Sequence, residues 1–500
     1  MSPSPQPPPH PCALPPPPPP PPPYTPPAYA PCAAHAPTAP PHHHRRRPPW
    51  QSRTVRATAL ISLLALSGVL IIALVRRETG TEGFLVGLGL AVFPVPLLIA
   101  AFCWLDRLEP EPWRNLAFAF TWGACAATLV ALLANGFATD WLAANIASTS
   151  PSEAEAWGAA VIAPFVEETG KAAAVLFLYR FRRRDFDGIT DGIVIAGITA
   201  TGFAFTENIL YLGNAFGEDQ SLGHSGLDSL TAGTFFIRII VSPFAHPLFT
   251  IPTGLAFGIA ATRYPRRRTA RTAVTALGLA TSVLLHAVWN ASATLDTPDF
   301  LLIYGLFMVP LLLVLTALAV WARNQELRSL RHYLTPYIAA GWLVPAEPTA
   351  LSSLKTRALA RDIAHRTHGP AAARAVTEYT ALATALSFHR RRAHLTGPTP
   401  DFTTQEHHLL QHLRHYQPWG QRALTDALET AARQDERWAN QVHQEDQVHQ
   451  EENEHDTSGA PLSKKPTRGN PRSQRSRSHT TPPPPRPTEQ ATHRPPPGQA

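Results

Sequence analysis

The sequence predicts an all-helical membrane bundle of about eight spans, and three observations carry that expectation. Residues 57 to 321 consist largely of long apolar stretches with short polar loops between them. Both ends are instead rich in Pro, His, Arg and Gln, and neither can bury enough apolar surface to offset its ordering entropy. The apolar stretches also have the length, about 20 residues, that a helix needs to cross a bilayer. The mean hydropathy of −0.09 is an average of these extremes. Four regions are expected: a disordered Pro-rich arm (1–50), the membrane bundle (57–321), a small cytoplasmic helical region (322–455) and a disordered basic, Pro-rich tail (456–500).

The expected spans lie near 57–75, 84–105, 115–135, 156–179, 189–213, 235–262, 272–294 and 300–321. The first is read as a retained span rather than a signal peptide, because no small-residue cleavage site precedes Arg76 and Arg77. Pro94 and Pro96 should kink the second span, and Pro243, Pro247 and Pro252 the sixth.

Loop charge sets the expected orientation, since Lys and Arg stay on the cytoplasmic side. Arg45 to Arg47, Arg53, Arg56, Arg180, Arg182 to Arg184, Arg263, Arg266 to Arg268 and Arg271 belong inside. The segments around Asp140 to Glu155, Glu218 to Asp228 and Asp296 to Asp299 belong outside. Arg76 and Arg77 alone run against the pattern. Both termini are then cytoplasmic, in agreement with an even number of spans.

Spans four and five hold Glu167, Glu168, Lys171 and Glu207 within otherwise apolar helices. Each charge at a helix centre costs about 2.5 to 3.5 kcal/mol, so the four together cost on the order of 10 kcal/mol unless paired or wet. His246 in the sixth span and His286 with Asn290 in the seventh add further polar groups. At about 1.5 Å of rise per residue, these groups fall in the outer half of the bilayer, with Glu167 and His246 both roughly 17 Å from the outer end. Glu167 with Lys171, and His286 with Asn290, are four apart and share a helix face.

Two adjacent carboxylates beside a lysine offer one acid and one base. One carboxylate can deprotonate a water while the histidines and an amide position it or stabilise an oxyanion. The same His and Glu set can instead hold a divalent metal such as zinc, and no HExxH zincin motif is present. Polar residues also hold membrane helices together, a reading that fits Asn290 or His246 taken singly better than the paired glutamates.

At these residues the sequence resembles the PrsW family of intramembrane proteases, which is related to the type II CAAX prenyl endopeptidases. The resemblance rests on EETGK at Glu167 to Lys171 and on DGIVIAGITATGFAFTENILY at Asp191 to Tyr211, with Phe203, Glu207 and Asn208. It continues through His246, HxxxN at His286 and Asn290, and LDRLEPEPW at Leu105 to Trp113. It covers roughly residues 84 to 321. It implies a membrane-embedded peptidase in a bacterial-type plasma membrane, with Glu167 or Glu168 activating water and His246 and His286 completing the site. Lys171 and Asn208 would support it, and Glu168, Glu207, His246 and His286 would be the ligands of any metal. A membrane-anchored protein, such as an anti-sigma factor, is the implied substrate. Both a metal and a metal-free glutamate mechanism remain open. Glu207 stands where the superfamily often has a histidine.

Two other functions use the same residues: a proton-coupled transporter with the carboxylates as a relay, and a catalytically silent scaffold. The chain has no second copy of the Glu-Glu motif, which counts against a transporter built from repeats. Nucleic acid is not an expected partner, because the basic residues flank the spans instead of covering one folded face. Cys12, Cys32, Cys103 and Cys125 form no CxxC pair. His407, His408, His412 and His415 read as a solvated helix face, although His408 and His412 have chelating spacing. The Asn290-Ala291-Ser292 sequon lies inside a span and is discounted. The Pro-rich arms suit either a proline-recognising groove or a spacer.

Overall fold

The computed structural model describes residues 14–20, 53–145, 157–182, 186, 188–293 and 297–457. Among them the chain is all-helical, with no strand. Most of the arm and tail, including Cys12 and Cys32, and parts of the loops expected outside lie beyond the described residues.

Among the described residues, six helices are long and apolar enough to cross a membrane: Val55–Leu105, Trp113–Asn145, Ile189–Leu222, Leu230–Arg263, Arg268–Ser292 and Asp299–Ala339. Eight were expected, and two features of the chain account for the difference. The first two expected spans form one continuous stretch, α1 (Arg53–Ala91) followed by α2 (Val95–Leu105), with Gly80 inside α1 at φ 71°, ψ 174°. At about 1.5 Å per residue α1 alone would exceed a hydrocarbon core of about 30 Å. Gly80 breaks it, and Ile71 and Val75 before the glycine share an apolar cluster with Ala91 after it. The expected fourth span is α4 (Ala163–Phe181), whose two glutamates, lysine and arginine lower its hydropathy.

The centre of the bundle is α5 (Ile189–Leu222), which is nearly continuously buried. Gly188 precedes it, donating its amide to Asp191 at 2.7 Å, and Gly223 ends it in the left-handed conformation at φ 73°. Small residues let other backbones approach α5 closely, as membrane helices require. A Cβ on Gly192 would lie 2.1 Å from the carbonyl oxygen of Gly254, on α7 (Ala245–Arg263). Around α5 stand α1, α2, α3 (Trp113–Asn145), α4, α6 (Leu230–Phe235) and α7, and α8 (Arg268–Ser292) packs against α7 and α4.

Helix breaks fall at two of the expected prolines, Pro94 and Pro243. Pro94 separates α1 from α2, and Ser242 to Phe244 separate the π-helical turn Phe236–Val241 from α7, so that His246 falls in the first turn of α7. Pro252 lies inside α7, where Thr253 exchanges hydrogen bonds with Ser282 of α8. On α8 the buried residues Gly278, Ser282 and His286 recur every four positions and face the bundle.

A short helix α9 (Thr297–Ile303) leads to α10 (Val309–Ala339), which runs unbroken through the boundary expected at 321. Its C-terminal half joins α11 (Glu347–Leu351), α12 (Leu354–Thr396) and α13 (Phe402–Thr457) around a second apolar core that includes Leu330, Leu334, Leu386, Leu410 and Leu424. Burial pushes the Glu347 carboxyl upward, while its hydrogen bonds from Tyr379 and the Val344 amide oppose the shift. His408 and His412 are exposed neighbours with ring centroids 4.3 Å apart, and no carboxylate joins them in a metal-sized group among the described residues.

Candidate active site

Four helices bring the ionisable residues of the membrane region together, and α4 supplies the centre. Glu167, Glu168 and Lys171 are all buried on one side of it. The Lys171 ammonium donates to Glu168 Oε1 at 2.8 Å and lies 3.6 Å from Glu167 Oε2. It also sits 4.0 Å from the centroid of the Phe203 ring, whose face attracts a cation.

Glu168 is saturated. Its Oε1 also receives His286 Nδ1 at 3.0 Å, and its Oε2 accepts the Thr250 hydroxyl at 2.8 Å. With Nδ1 against Glu168, the other ring nitrogen of His286, Nε2, lies 3.8 Å from Glu167 Oε2. The Phe249 ring stacks on that imidazole, with centroids 4.9 Å apart, and fixes its plane.

Glu167 differs in one respect. Its Oε1 lies at the 3.5 Å limit from the Asn135 amide, whereas Oε2 is buried and accepts no hydrogen bond. One oxygen, Glu167 Oε2, thus faces a cation and an imidazole at 3.6 and 3.8 Å with its lone pairs available.

His246 connects this group to Glu207. Its Nε2 meets Glu207 Oε2 at 2.6 Å, and its Nδ1 accepts from Lys171 at 3.2 Å. Glu207 is also bound by Arg238 at 2.6 Å, and the same guanidinium donates to Asn208 Oδ1 at 2.8 Å and stacks 3.9 Å from the Tyr211 ring. Asn290 is placed differently. Its amide donates to the carbonyl of Ala159, inside the π-helical turn Gly158–Ile162, rather than to a member of the cluster.

A cavity of about 310 Å³ opens beside His246, lined by Asn208, Arg238, Pro243, Trp289 and Phe300 among others. Its mixed apolar and polar wall can receive an extended peptide segment and present a backbone carbonyl to the cluster.

Among the described residues, the atoms that could hold a metal come from Glu167, His246 and His286, all within 4.8 Å of one another. Of the carboxylates expected as ligands, Glu168 has both oxygens engaged by neighbouring side chains, and Glu207 receives Arg238 and His246 on its Oε2. His286 has the carboxylate partner on its second nitrogen that orients metal-binding imidazoles. For His246, a cation would compete with Lys171 for Nδ1.

Sequence reasoning missed Arg238 and Thr250. Arg238 lies in the apolar run FFIRIIV, where the insertion cost that drew attention to the glutamates applies equally. Thr250 follows His246 by four residues, on the same helix face.

Comparison with known proteins decides the class of chemistry. Residues 111–315 match the family model described as PrsW family intramembrane metalloprotease. That stretch is similar to PrsW-type membrane proteases. The chain is 26% identical over 235 residues to Protease PrsW of Clostridioides difficile (strain 630), covering 46% of this chain and 86% of that protein. No solved structure matches. The matched PrsW-type stretch contains α4, α5, α7 and α8, hence every residue of the cluster, and ends before α11 to α13.

Proposed function

We propose that the chain hydrolyses peptide bonds of membrane-anchored proteins, with the Glu167 carboxylate as the base that activates water. The observation that carries this reading is the buried Oε2 of Glu167, which accepts no hydrogen bond beside an otherwise paired set of groups. A water there can give its proton to Glu167 while its oxygen attacks a carbonyl presented from the cavity. The Lys171 ammonium, 3.6 Å from Glu167 Oε2, then faces the charge that develops on that carbonyl oxygen. Glu168 holds Lys171 and His286 in place, and Glu207 with Arg238 holds His246. Glu167, His246 and His286 also fit a divalent metal such as zinc through two nitrogens and one oxygen. When bound, such an ion lowers the pKa of water and polarises a carbonyl.

The protein sits in a plasma membrane with both termini cytoplasmic, as the loop charges favour, and the cluster lies in the outer half of the bilayer. Anchored anti-sigma factors are one substrate class that such a depth suits.

The test is proteolysis of a panel of membrane-anchored reporters by the full chain in liposomes. Wild type is expected to cut at least one reporter, and Glu167→Gln, at matched folded abundance, to lose at least about 100-fold in rate, the scale of a positioned general base. A Glu167→Gln protein as active as wild type would remove Glu167 from the chemistry.

A further inference from the structure

Residues Leu14–Pro20, from the run LPPPPPPPPP (Leu14 to Pro23), lie against the helices that follow the membrane bundle. Proline has no amide hydrogen, so a proline run offers a receptor only carbonyl oxygens and ring faces. Both are engaged. The Trp342 indole donates to the carbonyl of Pro18 at 2.6 Å, and Arg390 Nη2 donates to the carbonyl of Pro15 at 2.9 Å. These carbonyls are three residues apart, one turn of a polyproline II helix, so they point to the same side. Pro17 between them is buried. Pro20 packs 3.7 Å from the position a Cβ on Gly341 would occupy, and Gly341 has φ 81°. Leu14 enters a cavity of about 360 Å³ with Tyr333, Arg390 and His394, which distinguishes one register from the others a homopolymer allows.

The receptor side is held by contacts within the helices. With the arm seated, Trp342 is 3% exposed and Arg390 5%. Arg390 Nη1 is held by Glu406 at 2.8 Å, and the Tyr337 hydroxyl donates to the same carboxylate oxygen. Gln417 donates to the Trp342 carbonyl at 3.2 Å. These residues come from α10, α12, α13 and the turn after α10. A proline run serving only as a spacer does not require a buried indole and a buried guanidinium aimed at its carbonyls.

We propose that the helical region after the bundle is a polyproline-binding module, and that its groove, centred on Trp342 and Arg390, holds Leu14–Pro20 of the same chain. This assignment does not rest on the protease reading. The 32 residues between Pro20 and Arg53 tether the ligand, so its effective concentration is high and a proline-rich segment of another protein must compete with it.

The test uses the full chain in detergent micelles and a fluorescein-labelled LPPPPPPPPP peptide read by anisotropy. A chain whose Pro15–Pro23 run is replaced by an equal length of Gly and Ser is expected to bind the peptide saturably. Wild type is expected to bind it at least tenfold more weakly, because its own segment fills the groove. Adding Trp342→Phe to the replaced chain keeps an aromatic ring but removes the donor, and should weaken binding about tenfold. The proposal is overturned if the replaced chain binds the proline peptide no better than a Gly/Ser control peptide. Equal affinity of wild type and the replaced chain overturns the occupancy in cis, as does protection of wild type that vanishes on dilution and so comes from a second copy. The arm replacement leaves the helical core unchanged, so its result stands whether or not the Trp342→Phe chain folds.

Discussion

Glu167 and Glu168 are neighbours in sequence, yet their surroundings assign them different work. Glu168 is held by Lys171, His286 and Thr250, whereas Glu167 keeps one buried oxygen without a hydrogen bond. Thr250→Val keeps the shape at 250 but removes the donor to Glu168 Oε2; turnover is expected to fall about tenfold and stability by about 1.5 to 3 kcal/mol, the worth of a buried hydrogen bond to a charged group. Thermal unfolding in detergent and reporter cleavage check the two parts separately. Outside the spans, burial pushes the Asp106 carboxyl up to about 7, with Glu326 adding to the shift and the Glu111 amide opposing it. A carboxyl with a raised folded-state pKa destabilises the fold progressively as pH rises from about 4 through about 7. Asp106→Asn keeps an oxygen for the Glu111 amide, and its unfolding free energy should therefore exceed that of wild type by more at pH 8 than at pH 5, by about 1 to 3 kcal/mol at the higher pH. The paired glutamates and both histidines were legible in the sequence because charge and imidazole stand out in apolar helices. Which glutamate keeps a free oxygen was not, since it depends on Thr250 and His286, 82 and 118 residues away from Glu168.

At the scale of helices, contact between α5 and α7 places Glu207 beside His246. A methyl at Gly192 would meet the backbone of Gly254. Gly192→Ala is therefore expected to destabilise the bundle by about 1 to 3 kcal/mol or more and to lower turnover, because the obstacle is backbone and cannot rotate away. Asn290, expected among the catalytic residues, satisfies a carbonyl in a widened turn. Asn290→Ala should cost about 1 kcal/mol in stability, as a lost hydrogen bond does, and leave more than a tenth of the reporter cleavage. The proline breaks were readable because a missing donor is a local property. The number of spans was harder: the first two apolar stretches follow one another through the kink at Gly80, and the charges of α4 lower its hydropathy.

Across the whole molecule, side chains are distributed as a bilayer demands. Ile61, Leu97, Phe137, Leu277 and Leu306 are largely exposed on the outside of the helices, while Glu168, Lys171 and Thr250 are fully buried within. The apolar blocks made this arrangement legible from composition. The core formed by α10 to α13 was foreseen only as helical, because its packing joins residues as distant as Tyr337 and Glu406. A fluorescent protein fused after residue 500 is expected to fluoresce and alkaline phosphatase fused there to stay inactive, as a cytoplasmic terminus requires. The central claim is that Glu167 is the base and Glu168 the anchor, and single-turnover cleavage of one reporter by Glu167→Gln and Glu168→Gln in liposomes, across pH, tests it most directly. The account expects Glu167→Gln to lose the chemical step with its melting temperature nearly unchanged, and Glu168→Gln to lose stability as well as rate. Rapid cleavage by Glu167→Gln beside a folded but inert Glu168→Gln would contradict it.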